Sequence, residues 1–205
     1  MARKRLTRQE SQLQTRERLL QAAAEVFSRR GFYEASVDEV AEEAGFSKGA
    51  VYANFASKEE LFLALLDRHL AAEFGQITAQ FTQTNSQGEG ENALQPQSFA
   101  AHFATHLEEN RTWNVLANEF MLYALRHPTA QQQLAERYRM ARNRLTTLLQ
   151  ERYQTENTPS TLNAEYIAWA LLGLGNGLAL QAYLEPGAMP TDLYSKIVAC
   201  LLSSS

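Results

Sequence analysis

Apolar residues recur at helical spacing along most of the chain, and no segment sustains the period-two alternation of a half-buried strand. Leu19, Leu20, Ala23, Val26 and Phe27 draw one apolar face over a first helix, expected to stop at Gly31. Ser36-Val37-Asp38-Glu39 has the form of a capping box, in which hydroxyl and carboxylate each satisfy an orphan N–H of a first turn. It predicts a short helix with Val37, Val40, Ala41 and Ala44 inward, ended by Gly45. Ser47 suits the N-cap of a further short helix near residues 48–55. Ser57-Lys58-Glu59-Glu60 repeats the box and opens a long helix over 58–81. Its stripe of Leu61, Phe62, Leu65, Leu66, Leu70, Phe74, Ile77 and Phe81 is too long to serve only a small N-terminal unit, so this helix is expected to link two domains.

Residues 82–97 are polar, with two glycines and a proline, and read as a connection. All five prolines lie from Pro96 onward and punctuate the second half. Between them Leu134, Tyr138, Ala141, Leu145 and Leu148 alternate at spacings of four and three, predicting a helix over 129–154 with Thr129 and Gln132 as its capping box. Two last helices are expected near 163–184 and 191–202. Residues 166–184 are uncharged and nearly long enough to cross a bilayer. Asn176, Gln181 and three glycines inside them, with no flanking basic cluster, argue for a buried bundle helix and no membrane partner.

Charge alters this picture locally. The 205 residues carry 19 Lys and Arg against 23 Asp and Glu, a net −4 that by itself argues against a nucleic-acid partner. Residues 1–30 nevertheless hold a net +5, which leaves −9 on the other 175. A basic end on an acidic body suggests an anionic partner at that end. The Arg3, Lys4, Arg5 and Arg8 arm can follow a phosphate backbone or enter a minor groove, or it is a solubilising tail. The single cysteine, Cys200, excludes an intramolecular disulfide framework and suits a reducing cytoplasm. No apolar run of signal-peptide length follows the basic start, so a cytoplasmic location is expected.

The two short helices around Gly45 make a helix-turn-helix. Ala41 is small where the helices approach, Gly45 can take the left-handed turn conformation, and Val51 supplies the apolar contact back to the first helix. With Val51 and Phe55 inward, the second helix exposes Lys48, Gly49, Tyr52 and Asn54, with Lys58 close by. Such a helix enters a major groove about 12 Å wide. Lys48 can pair with guanine or with phosphate, and Asn54 with adenine or phosphate. Tyr52 offers a hydroxyl to phosphate and a ring edge to a thymine methyl, and Gly49 permits close backbone approach. Lys58 adds positive charge at a helix start suited to a phosphate.

Residues 15–70, from TRERLLQAAAEVFSRRGFYEASVDEVAEEAGFSKGAVYANFASKEELFLALL, resemble the DNA-binding domain of the TetR/AcrR family of bacterial transcriptional regulators. The resemblance implies an all-α homodimer that binds a roughly palindromic operator on double-stranded DNA and is released by a small-molecule effector. It assigns DNA contacts to Ser36, Ser47, Lys48, Gly49, Tyr52, Asn54 and Lys58, with histidine frequent in the family where Asn54 stands here. The expected architecture is an N-terminal three-helix helix-turn-helix domain with its arm over 1–57. A C-terminal helical bundle for ligand binding and dimerisation follows over 58–205.

A bundle of this kind holds its ligand between helices. Phe99, Phe103, Trp113, Phe120, Met121, Tyr123, Tyr138 and Trp169 are candidate lining residues, with His102, His106, Asn118 and Asn176 for polar contacts, suggesting an apolar or aromatic effector. Gly173, Gly175 and Gly177, beside Leu171, Leu174, Leu178 and Leu180, either admit a second subunit's helix or lie at the centre of one subunit. His102 and His106 share a helix face with Glu109 three further on, but lack a second ligand pair, so no metal is expected. The arginines at 137, 139, 142, 144 and 152 are interleaved with Glu136 and Glu151 and read as a solvated face. No Gly-rich phosphate loop or nucleophile elbow occurs, and neither enzymatic activity nor a cofactor is expected.

Overall fold

Helix α1 (Arg8–Glu34) starts at a capping box formed by Thr7 and Glu10. The computed structural model describes residues 7–84, 103, 107–156 and 162–202, of which 77–84, 155 and 156 by their backbone only. Arg3, Lys4, Arg5, Phe99, His102 and His106 therefore lie outside the described residues. Among those described, α1 is followed by α2 (Val37–Ala44), α3 (Lys48–Tyr52), α4 (Lys58–Thr84), α5 (Arg111–Ala124), α6 (Pro128–Glu156), α7 (Ala164–Leu184) and α8 (Leu193–Leu202), with no strand. The fold is all-α, with a helix-turn-helix at its N-terminal end.

Three terminal signals resolve differently from their sequence reading. Gly31 interrupts α1 at φ 75° and ψ 171°, yet Phe32 to Glu34 add a further turn beyond it. Ser57 caps α4 by accepting from the Glu60 N–H, but the Glu60 carboxylate reaches past Ser57 to the Ala56 N–H, 2.7 Å away. Helix α6 starts at Pro128 rather than at a Thr129 cap, with the Gln131 N–H bonded to the His127 carbonyl. Proline suits the first helical position, where its missing N–H would have had no intrahelical partner.

Packing divides the chain into two compact units, and the division does not follow the sequence position of the helix-turn-helix. The first is Met1–His69 with Leu116–Gln131, and the second is Leu70–Val115 with Gln132–Ser205. Helices α4 and α5 each contribute residues to both. In the first unit Leu19, Val26, Phe27, Val40, Val51, Phe55, Leu61 and Phe62 are buried, as their periodicity predicts. Phe120 completes this core, stacked on Phe62 at 4.3 Å and set edge-on to Phe32 at 4.8 Å. In the second unit Ala141, Leu145 and Leu149 of α6 meet Ile167, Ala168 and Leu171 of α7 and Tyr194, Val198 and Leu202 of α8. The fully buried α6 position is Leu149 rather than the expected Leu148, and Tyr138 lies at the surface. Helix α7 is long and apolar enough to cross a membrane by length and composition, but Ala164, Ile167, Ala168 and Leu171 are spent on this core.

Candidate nucleic-acid interface

Short-range capping sets the pose of the exposed helix α3. The Ser36 hydroxyl accepts from the Glu39 N–H, and the Glu39 carboxylate accepts from the Ser36 N–H at 3.0 Å. That backbone hydrogen bond, ahead of Arg30 nearby, holds the Glu39 carboxyl below its usual range. Gly45 closes α2 in the left-handed region at φ 71°, where a β-carbon is disfavoured. Its turn is completed by the Phe46 N–H bonded to the Ala41 carbonyl at 2.9 Å. Two residues on, the Ser47 hydroxyl accepts from the Ala50 N–H and starts α3. Ser36 and Ser47, which the family resemblance assigns to DNA contact, are thus also the caps of both helices.

Long-range contacts then brace the far ends of these helices. Arg18 donates to the Ala44 carbonyl at 3.1 Å and lies over the Phe46 ring. Arg16 donates to the Asn54 carbonyl at 2.7 Å, its guanidinium 4.1 Å above Phe55. Both arginines place positive charge at helix C-terminal ends, where the peptide dipoles favour it. These partners are 26 and 38 residues away, so no local motif announces them.

The outward face of α3 matches its sequence reading in part. Lys48, Gly49 and Tyr52 are exposed, while Val51 and Phe55 are buried. Lys48 Nζ lies 2.8 Å from Asp38 Oδ2, and this hydrogen bond and charge raise its pKa. Both partners are solvent-exposed, so the pair is weak and can be exchanged for a phosphate. Asn54 is half-buried and its Nδ2 donates back to the Ala50 carbonyl. Lys58 differs most from its sequence reading. Its ammonium donates to the carbonyls of Phe32, Tyr33 and Ala35 at 2.8, 3.3 and 3.0 Å and sits over the Phe32 ring. Its three protons cap the end of α1, and burial lowers its pKa against the opposing charge of Glu59.

Two further residues lock this unit and were not singled out by sequence. The kink at Gly31 leaves the Phe32 N–H without an intrahelical partner, and Glu119 Oε2 accepts it at 2.8 Å. A β-carbon on Gly31 would lie 2.7 Å from that same oxygen. Glu59 accepts from the Tyr123 hydroxyl at 2.5 Å. This bond, more than burial, pushes the Tyr123 hydroxyl up to about 12. The Glu59 carboxyl stays below its usual range because the hydrogen bonds it accepts outweigh burial. Phe120, Met121 and Tyr123, grouped by sequence with the effector lining, belong to this first unit.

Of the remaining described candidates for the effector site, Asn118 also lies in the first unit, and Phe103, Trp113, Tyr138, Trp169 and Asn176 lie in the second. Phe103 stacks on Tyr194 with ring centroids 4.2 Å apart. Trp113 is half-buried, and Asn176 is exposed. Trp169 is 56% exposed, with the Arg142 guanidinium 3.8 Å above its ring. Tyr183, missed by sequence, is held twice: its hydroxyl donates to the Leu107 carbonyl at 2.6 Å and accepts from Asn114 at 2.7 Å.

Residues 19–65 match the family described as bacterial regulatory proteins, tetR family, and residues 96–204 match BetI-type transcriptional repressor, C-terminal. The HTH-type transcriptional activator FasR of Mycolicibacterium smegmatis is 53% identical over 55 residues, covering 27% of this chain and 25% of that protein. The HTH-type transcriptional regulator YfiR of Bacillus subtilis is 28% identical over 141 residues, covering 65% of this chain and 62% of that protein. The chain thus spans less than two thirds of the length of these curated relatives. A crystal structure of the transcriptional regulator FadR of Bacillus subtilis, in complex with stearoyl-CoA, superposes with a TM-score of 0.67 at 18% identity, covering 91% of this chain and 96% of that one.

Proposed function

The chain belongs to the TetR family of bacterial regulatory proteins, and from that premise we propose that it is a cytoplasmic, homodimeric transcriptional repressor. It holds a palindromic operator and releases it when a small apolar or aromatic effector binds. The observation that carries this reading is the pose of α3. Its Lys48–Gly49–Tyr52 face is exposed, its opposite face is buried through Val51 and Phe55, and both short helices are capped and braced. A rigid scaffold presenting a short polar helix suits major-groove docking.

A helix of five residues reaches few base edges, so a second copy at about 34–36 Å is needed for tight, specific binding. Helix α7 supports such pairing. Beyond the side spent on its own core it exposes Tyr166 (65%), Trp169 (56%) and Leu172, and Gly173 has no atom within 4 Å of where a β-carbon would stand. That apolar stripe suits the same stripe of a second subunit.

Effector binding in the second unit is transmitted through α4 and α5, which have residues in both units. A coupling of about 1–3 kcal/mol changes operator affinity by about 5–150-fold. An apolar effector agrees with the stearoyl-CoA bound by FadR. Repression is favoured over activation because the match to a repressor C-terminal half covers residues 96–204, whereas the likeness to an activator covers 55 residues, about the length of a head. Footprinting on upstream DNA tests the reading. Protection of an inverted repeat is expected, lost in Tyr52→Ala and Lys48→Ala while the dimer persists; no protected repeat even at low salt overturns it. Activation remains the second reading, favoured by the FasR likeness, and transcription from the protected promoter with and without the protein separates the two.

A further inference from the structure

An open groove of about 300 Å³ lies between the first turns of α1 and the chain leaving α3, lined by Arg8, Ser11, Gln12, Thr15, Ala53 and Asn54. We propose that this groove seats one phosphate of the DNA backbone beside the recognition helix, with Arg8 and Gln12 as its principal donors. The proposal rests on the DNA-binding reading above and adds to it a contact made from helix α1.

Its lining has the chemistry of an anion seat. Among the described residues Arg8 is the one charged lining residue and no acidic side chain lines the groove, and Arg8, Ser11 and Gln12 are all exposed. Guanidinium, amide and hydroxyl are the donor types that proteins direct at phosphate oxygens. Ala53 and Asn54 directly follow the exposed Tyr52, so the groove opens immediately beyond the face that α3 presents.

The walls are also held in place before any ligand arrives. Asn54 is fixed twice, by its amide donating to the Ala50 carbonyl and by its own carbonyl accepting from Arg16. The Arg16 guanidinium adds positive charge to that wall. Thr15 is turned back on the Ser11 carbonyl at 3.0 Å. The helix start itself is not the seat. Thr7 accepts from the Glu10 N–H, while the Glu10 carboxylate closes on the Thr7 N–H at 2.7 Å. Side chains, rather than open backbone amides, would therefore hold the phosphate, and the Glu10 carboxylate is committed to the cap.

A phosphate contact fixes register without reading sequence. The test compares the full chain with Arg8→Ala, Gln12→Ala and Arg8→Lys on an operator fragment and on a scrambled duplex of equal length, across a range of salt. For Arg8→Ala we expect equal fractional loss of affinity on both duplexes. The slope of log K against log salt should fall in magnitude by about 1, the value for one phosphate contact. Arg8→Lys should restore the slope, and Gln12→Ala should weaken both duplexes alike with the slope kept. Ethylation of one phosphate per bound head should block the wild-type protein and not Arg8→Ala. Melting temperatures should not move, since Arg8 is exposed. Wild-type binding with an unchanged affinity and slope in Arg8→Ala overturns the groove and leaves the DNA reading standing. Wild-type protein that binds neither duplex overturns both.

Discussion

The two compact units hold together by different means. In the first, polar side chains close backbone groups left open at helix ends and at the α1 kink: Ser36 and Ser47 at N-termini, Arg16, Arg18 and Lys58 at carbonyls, and Glu119 at the Phe32 amide beyond Gly31. These surround a tight aromatic cluster of Phe27, Phe32, Phe62 and Phe120. The second unit instead joins helices through an apolar seam of mainly aliphatic side chains, and it leaves Tyr166, Trp169 and Leu184 at the surface. A unit built on over-determined helix ends keeps one pose, as a DNA-reading head requires. Apolar packing between long helices is the kind of contact along which helices shift by small amounts, which would suit ligand response.

The largest expected effect breaks the aromatic half of this contrast. Phe120→Ala removes a fully buried ring from the first unit and should cost about 3–5 kcal/mol in denaturant unfolding. A cost below about 1 kcal/mol would place Phe120 in an effector site after all.

Gly31→Ala comes next, at about 2–3 kcal/mol, because φ of 75° and the Glu119 carboxylate both oppose a β-carbon. Glu119→Ala in the same chain should relieve the steric part only, so the pair should be less than additive.

Lys58→Met sharpens the contrast between capping and DNA contact. Leaving three carbonyls without their donor should cost about 1–3 kcal/mol, with the salt dependence of DNA binding unchanged. A slope reduced by about 1 would return Lys58 to the phosphates.

Tyr123→Phe should cost about 1 kcal/mol near neutral pH. The Tyr123 pKa is raised from 10.0 to about 12, so the protonated hydroxyl stabilises the fold fully below 10.0 and loses that contribution as pH rises toward about 12. The stability difference between wild type and Tyr123→Phe should therefore shrink across that window in urea titrations. A constant difference would remove the Glu59 bond as its source.

The smallest effect on stability should come from Trp169→Glu, within about 0.5 kcal/mol, yet sedimentation should show a monomer with operator affinity lost. A dimer that persists would move the interface off the α7 stripe.

Legibility followed the range of the interaction. The caps at Ser36 and Ser47, the left-handed Gly45 and the inward set Val40, Ala41 and Val51 stood in the sequence because each acts within about one or two turns of its partner. Readings slipped by small amounts where two neighbours compete for one role. His127 and Pro128 took the helix start from Thr129, Leu149 took the buried place from Leu148, and Glu60 reached past Ser57 to Ala56. Where a side chain's partner is distant, the sequence carries no sign of it. Lys58 finds carbonyls 23 to 26 residues away, Tyr123 finds a carboxylate 64 away, and Glu119 finds an amide 87 away.

Sequence alone determined the short helices α2 and α3 with their caps at Ser36 and Ser47, and the helix-turn-helix with its exposed Lys48, Gly49 and Tyr52. Helix periodicity and capping are satisfied within three or four residues, so composition at fixed offsets is enough to specify them. Tertiary structure decided how the remaining polar and aromatic groups are employed: Lys58 as a cap on α1, Phe120 and Tyr123 in the core of the head's unit, and Arg8 and Gln12 beside Asn54 in one groove. A cation, a ring or an amide carries no mark of its partner along the chain. Only packing brings a carbonyl, a carboxylate or a groove wall within the few ångströms over which these groups act.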